Sequence, residues 1–271
     1  VEIDTIEESK RVWKNLQDYL KQIISEKSNN GIEIEEALLF PGLEEVFSLL
    51  KILDIYEDDK YDVMIVDCAP TGQSLSMLTY SEKLNILADT ILPMVQSINS
   101  IFGSAISKKT SVPKPRDVVF EEFKNLAKRL SSLYDIFHNK DSTGIRIVTT
   151  SEQIVLEEAR RNYTWLQLYD FNVDAVYMNR LYPKEVMQGY FEGWENIQND
   201  NIHLAKESFS KQKLFKLELQ SEEIHGIDAL EKIGELLYKD VNPAEIFCQT
   251  EAFKMEDING TRILIINLPF A

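Results

Sequence analysis

Apolar positions along this chain follow two rhythms. Thr5 to Glu26 repeats Ile6, Val12, Trp13, Leu16, Leu20 and Ile23 at helical spacing, and Ser28-Asn29-Asn30-Gly31 breaks the run. Residues 34 to 39 read as a short apolar helical turn, and Pro41-Gly42 opens a helix to about Tyr56. Helical pattern returns from Ser74 to about Ile91, from Phe120 to Phe137, from Glu152 to Tyr169 and from Gly226 to Tyr238. Glu185 to Phe209 is long, mixed and read as helical. Between these lie compact apolar runs at Val63–Val66, Gly144–Ser151, Asn172–Asn179 and Leu214–Leu219. The continuous run Val63–Val66 marks a strand buried on both faces of a parallel sheet, 144–151 reads as a second buried strand, 172–179 as a third strand and 214–219 as a short strand candidate. Strand, helix and strand from 144 to 179 make a βαβ unit. The pattern predicts an α/β fold with a mostly parallel sheet flanked by helices. After Phe253 the texture changes, and Asn259-Gly260 between apolar runs predicts a β-hairpin.

In open α/β sheets, ligands bind outside the carboxyl ends of the strands. Asp67 stands at that end of the Val63–Val66 run, followed by the turn Ala69-Pro70-Thr71-Gly72. A carboxylate there can hold Mg²⁺ directly or through water, and the turn can offer backbone N–H groups to a phosphate. Asn179 and Arg180 end the third run, and a parallel sheet sets them on the same edge as Asp67. An Asn at that edge can make paired donor and acceptor contacts with an adenine, or simply cap a turn.

Composition narrows the function. The 271 residues carry a formal net charge of −16, which argues against nucleic acid as a partner, since a phosphate backbone demands a basic footprint. No apolar run approaches the ~20 residues of a membrane span, and no signal peptide opens the chain. Cys68 and Cys248 lie far apart and form no Cys-x-x-Cys pair, which argues against a thiolate zinc site and fits a cytoplasmic protein. His138, His203 and His225 form no ligand pair and read as surface or capping residues. The residues from Leu92 to Phe102 read as helix packing, with an apolar client groove as the alternative.

The string Asp67-Cys-Ala-Pro-Thr-Gly-Gln-Ser-Leu-Ser76 resembles the Asp-Thr-Ala-Pro-Thr-Gly-His-Thr-Leu-Arg signature of the ArsA family, the arsenite-pump and tail-anchored-protein-targeting ATPases. Cys68, Gln73 and Ser76 depart from it. Val173-Asp-Ala-Val-Tyr-Met-Asn-Arg-Leu-Tyr-Pro183 is similar to the family's Val-Asp-Ala-Val-Val-Val-Asn-Arg-Val-Leu-Pro, and Ile224-His-Gly226 to its Glu-Ile-x-Gly loop. The resemblance implies a P-loop NTPase-like fold of the SIMIBI type, with ATP and Mg²⁺ as cofactors. It implies that Asp67 is a catalytic residue holding Mg²⁺ through water. Pro70, Thr71 and Gly72 would be nucleotide-binding residues, Thr71 and Gly72 forming the switch that senses the γ-phosphate, with Asn179 reading the adenine and Arg180 beside it. Water would attack the γ-phosphate in line, and hydrolysis would drive a dimer or client conformational change. The implied partners are a second copy of the chain and a hydrophobic client or membrane partner protein.

The string Gly-x-x-x-x-Gly-Lys-Ser/Thr, whose backbone and Lys hold ATP phosphates, does not occur in the 271 residues. In the family it precedes all the motifs above. The chain therefore reads as residues 1–248 of an ATPase domain lacking its P-loop segment, with 249–271 beginning an α-crystallin-like β domain. By itself this chain is expected to be inactive in hydrolysis. The alternative is a scaffold of the same fold that binds a hydrophobic client without hydrolysing ATP.

Overall fold

The computed structural model describes residues 43–67, 117–258 and 260–266, arranged in two compact units, Val1–Ile136 and Phe137–Ala271. The expected helices at 5–26 and 74–91, the turn at 34–39 and the segment 92–102 lie outside the described residues.

In the first unit, α1 (Leu43–Glu57) and α2 (Asp117–His138) form where apolar spacing predicts them. Leu49, Leu50, Ile52 and Leu53 of α1 are buried, as are Phe120, Ala127, Leu130 and Leu133 of α2. Arg129 joins the helices by donating to the carboxylate of Asp54 and to the Leu50 carbonyl.

One expected strand is absent. Residues 63–67 form no ladder with any described strand, and Ile65 is 91% exposed. An apolar run becomes a strand only where a neighbour satisfies its N–H and C=O groups. None of the described residues does so here.

The second unit holds the sheet. β1 (Ile145–Thr149), β2 (Val173–Leu181) and β3 (Lys213–Glu218) run parallel in the order β1-β2-β3. Parallel neighbours need crossovers, which α3 (Gln153–Leu168) and α4 (Glu192–Ser208) supply. The central strand is buried on both faces, with Val173, Ala175, Val176 and Met178 inaccessible to solvent. Leu156, Ala159, Tyr163 and Leu166 of α3 and Ala205 of α4 join this core, together with Phe171 and Phe209. The stretch read as one helix from 185 to 209 is two 3₁₀ turns, Lys184–Val186 and Gly189–Phe191, followed by α4. Helix α5 (Ile227–Tyr238) lies against β3, and Gly226 before it takes φ +84°, backbone that glycine adopts freely. His138 donates from Nε2 to the Tyr169 carbonyl at the end of α3, 2.9 Å away, a capping role of the kind expected.

A polar strap closes the unit. The ladder steps from Ile145↔Val173 to Arg146↔Ala175, which leaves Asp174 as an extra residue. Its fully buried carboxylate meets Arg146 at 3.4 Å and accepts the Phe247 N–H at 3.2 Å. Arg146 also donates to the Glu245 carbonyl and lies 4.7 Å over the Phe247 ring. Asn172 accepts from the Thr250 N–H and donates to the Cys248 carbonyl, both at 3.1 Å. Residues 245–250 are thus held by side chains rather than by a sheet ladder. Burial pushes the Cys248 thiol above its ordinary range, and the nearby Asp174 charge adds to the shift. Burial likewise raises the Tyr177 hydroxyl, which accepts a bond from Tyr238 at 3.0 Å.

Strands β4 (Phe253–Ile258) and β5 (Thr261–Ile266) form the expected antiparallel hairpin, with Gly260 in its turn at φ +80°.

Candidate functional site

The site grows from the end of β2. Met178 pairs with Thr149 of β1 and Lys216 of β3, but the next pair on the β3 side is Leu181↔Glu218. β2 therefore advances three residues while β3 advances two. The surplus is a bulge at Asn179-Arg180, a device that re-aims side chains next to functional sites. Arg180 adopts φ +55°, left-handed backbone uncommon for a residue with a Cβ. The Asn179 Oδ1 accepts the Arg180 N–H at 2.8 Å, which steadies that conformation. Asn179 is half-buried and Arg180 exposed. Among the described residues, the Asn179 Nδ2 donors and second Oδ1 lone pair are uncommitted, a donor and acceptor side by side.

Polar groups converge on the residues just beyond. Gln198 of α4, 5% exposed, accepts the Tyr182 N–H at 2.8 Å and donates to the Tyr182 carbonyl at 3.0 Å. The Ser151 hydroxyl, past the end of β1, donates to Gln198 Oε1 at 3.3 Å, and Asn201 donates to the Ser151 carbonyl at 2.8 Å. The Leu219 N–H donates to the Leu181 carbonyl at 2.7 Å. Tyr182 also packs against the rings of Phe191 and Trp194, with centroids 5.7 Å and 5.6 Å away. The carboxyl ends of the three parallel strands thus form one polar edge, where ligands of open α/β sheets bind.

The expected site residues fall in different units. Asn179 and Arg180 stand together at this edge of the second unit. Asp67 belongs to the first unit and is exposed. Pro70, Thr71 and Gly72 lie outside the described residues. Sequence reading passed over Ser151, Gln198 and Asn201. The buried positions of α4 are Gln198, Asn201, Ala205 and Ser208, a helical stripe of polar and small residues. A search for apolar periodicity cannot register it, although the spacing itself is helical.

Mg²⁺ takes oxygen ligands and keeps several waters, so one or two carboxylates plus substrate phosphates suffice for it. Asp67 offers such an oxygen donor. Among the described residues no cluster of three or more His, Cys, Asp or Glu forms a protein-only metal cage. Cys248 is the free cysteine among the described residues, so no described pair of thiols can bind a thiophilic ion. None of the described helices is long and apolar enough to cross a membrane.

Comparison with known proteins agrees with this architecture. The putative arsenical pump-driving ATPase 1 of Aquifex aeolicus (strain VF5) is 31% identical over 272 residues, covering 99% of this chain and 69% of the relative. A putative arsenical pump-driving ATPase of Prosthecochloris vibrioformis is 29% identical over 258 residues, covering 91% of this chain and 62% of the relative. The ATPase get3 of Pyrenophora tritici-repentis is 24% identical over 213 residues, covering 77% of this chain and 63% of the relative. The chain thus spans between six and seven tenths of the length of these relatives. Residues 1–239 match the anion-transporting ATPase family. With its parallel sheet flanked by helices, this chain belongs to the ArsA family of P-loop ATPases.

Proposed function

We propose that the full-length protein binds MgATP and hydrolyses its γ-phosphate, using nucleotide state to change the conformation of a dimer or of a bound client. The observation that carries this reading is the Asn179-Arg180 bulge at the carboxyl end of the central strand, within an ATPase-family match of 239 residues. Asp67 is assigned to Mg²⁺ through water, where the ion would offset charge on the phosphates. Pro70 is assigned to the nucleotide, Thr71 and Gly72 to the γ-phosphate, and Asn179 to the adenine edge with Arg180 beside it. The relatives' names point to two kinds of work, driving an arsenical pump and the role of get3. By the family likeness the work is arsenite transport or membrane-protein targeting, the latter with a hydrophobic client or membrane partner protein. A cytoplasmic location accords with the two separated cysteines.

Asp67→Ala in the full-length protein tests the assignment. Asp67 is exposed, so its loss opens no core cavity, and the fold should survive. Mg²⁺-dependent phosphate release should vanish. Turnover surviving within about threefold, equivalent to ~0.7 kcal/mol in the barrier, would remove Asp67 from the metal site.

A second reading keeps the nucleotide fold without hydrolysis. It is favoured by Gln73 where the family carries His. Full-length protein that binds ATP but releases no phosphate above blank would establish it.

A further inference from the structure

We infer that Gln198 is a positioning residue for the nucleotide base: its side-chain amide replaces a missing neighbouring strand at Tyr182 and holds the bulge that presents Asn179. The inference rests on the adenine assignment above.

β1 ends at Thr149, opposite Met178, so beyond that pair the β1-side edge of β2 meets no strand among the described residues. The next β2 residues are Asn179 and Arg180, with Arg180 in left-handed backbone. Such a conformation persists in a non-glycine residue only where its surroundings over-determine it. On the near side, fully buried Met178 is fixed by its ladder pairs in both directions. On the far side, Leu181 is held through its carbonyl by the Leu219 N–H. Tyr182 remains, and Gln198 takes both of its backbone groups as a strand residue would.

The amide can do this in one orientation. Its oxygen faces two donors, the Tyr182 N–H and the Ser151 hydroxyl, while its nitrogen faces the Tyr182 carbonyl. A flipped amide would oppose N–H to N–H and carbonyl to carbonyl. Ser151 is itself buried and held by Asn201, three residues beyond Gln198 on the same helix, so the clamp is anchored to α4 and to the end of β1. Between the two fixed ends, Asn179 and Arg180 are left to meet a ligand. A slip of one residue in the strand would turn Asn179 to the opposite face. Gln198 therefore sets how accurately Asn179 can meet a base without touching that base itself.

The test uses Gln198→Met, which keeps the length of the side chain and removes its hydrogen bonds, in the full-length protein. Gln198→Glu is the second variant: it keeps the acceptor for the Tyr182 N–H and loses the donor to the carbonyl. Asn179→Ala is the reference. MgATP and MgGTP are titrated into each protein, and amide exchange is followed across residues 178–183. Gln198→Met should speed exchange across that segment and weaken ATP by about five- to tenfold, with GTP changed less than about twofold. Gln198→Glu should fall between wild type and Gln198→Met in both readouts. Asn179→Ala combined with Gln198→Met should lose little more selectivity than Asn179→Ala alone, because both changes remove one contact. A wild-type ATP-to-GTP ratio in both Gln198 variants, with that ratio collapsed in Asn179→Ala, overturns the positioning role and leaves the adenine reading intact. An unchanged ratio in Asn179→Ala overturns the adenine reading and this inference with it.

Discussion

Asp174 shows how one residue can depend on another's lack of a side chain. A Cβ on Gly144 would lie 2.7 Å from Cγ of Asp174 and 2.8 Å from its Oδ1. Both are closer than real Cβ contacts allow, and the carboxylate is held from the other side by Arg146 and the Phe247 N–H. Gly144→Ala should therefore destabilise the fold by about 1–3 kcal/mol, the usual cost of overpacking. Chemical denaturation should show this as a lower midpoint at unchanged slope. Asp174→Ala removes the buried member of an ion pair and leaves Arg146, whose side chain is 27% exposed. That residual access to water puts the loss towards the lower end of the ~3–5 kcal/mol known for broken buried pairs. Asn179 is the residue for ligand specificity. Asn179→Ala should cost ATP roughly five- to a hundredfold in affinity, for a lost partner of ~1–3 kcal/mol. GTP presents the reversed pattern at its six-position and should lose little. Equal losses for the two nucleotides would mean that Asn179 only supports the turn.

Elements differ in how much of their order comes from their own residues. The β4–β5 hairpin is paired throughout but poorly buried, with Met255 63% exposed and Leu264 53% exposed. A two-stranded hairpin with so little burial is marginal, so its turn has large leverage. Gly260 sits at φ +80° with open space around it, which makes the backbone, not a clash, the reason for glycine. Gly260→Ala should cost about 1 kcal/mol or more, and the effect should stay local. Hydrogen exchange should rise across residues 253–266 and stay unchanged in β1, β2 and β3. A global fall in protection would mean that the hairpin unfolds together with the sheet.

For the whole molecule, alkaline pH is the informative variable. Cys248, Tyr163 and Tyr177 are all held above their ordinary values, with burial the largest cause in each. The folded state therefore keeps protons that the unfolded state has begun to release. Their stabilising contribution is complete below the unfolded values, 9.0 for the thiol and 10.0 for the hydroxyls, and declines as pH rises above them. The melting temperature should fall progressively above about pH 9, and Cys248→Ala should remove the earliest part of that fall. Catalysis is a second property at this scale. The 271-residue chain holds no Gly-x-x-x-x-Gly-Lys-Ser/Thr string to cradle phosphates, so its own phosphate release should not exceed a blank. Release well above blank, lost in Asp67→Asn, would contradict this.

Residue order alone determined much of this protein. The apolar run at 173–178, broken only by Asp174, points to a strand covered on both faces, and β2 is that strand. Helical spacing placed α1, α2, α3 and α5 because burying one stripe is a local demand with a local signature. Asn259-Gly260 announced the hairpin through backbone preferences, and the motif at Asp67 with the one at Asn179 carried the likeness to the ATPase family. Only the tertiary structure decided which polar groups meet. Val63–Val66 has the composition of a strand, yet a ladder needs a second segment, and composition does not state whether one is present. Asp174 and Asn172 interrupt an apolar strand without saying that they hold residues 245–250. Gln198 sits on a helix face that carries no apolar signal, and its partner Tyr182 is 16 residues away. Hydrophobicity is a property of each side chain and can be read one position at a time. A buried hydrogen bond belongs to a pair, and folding alone brings the second member into place.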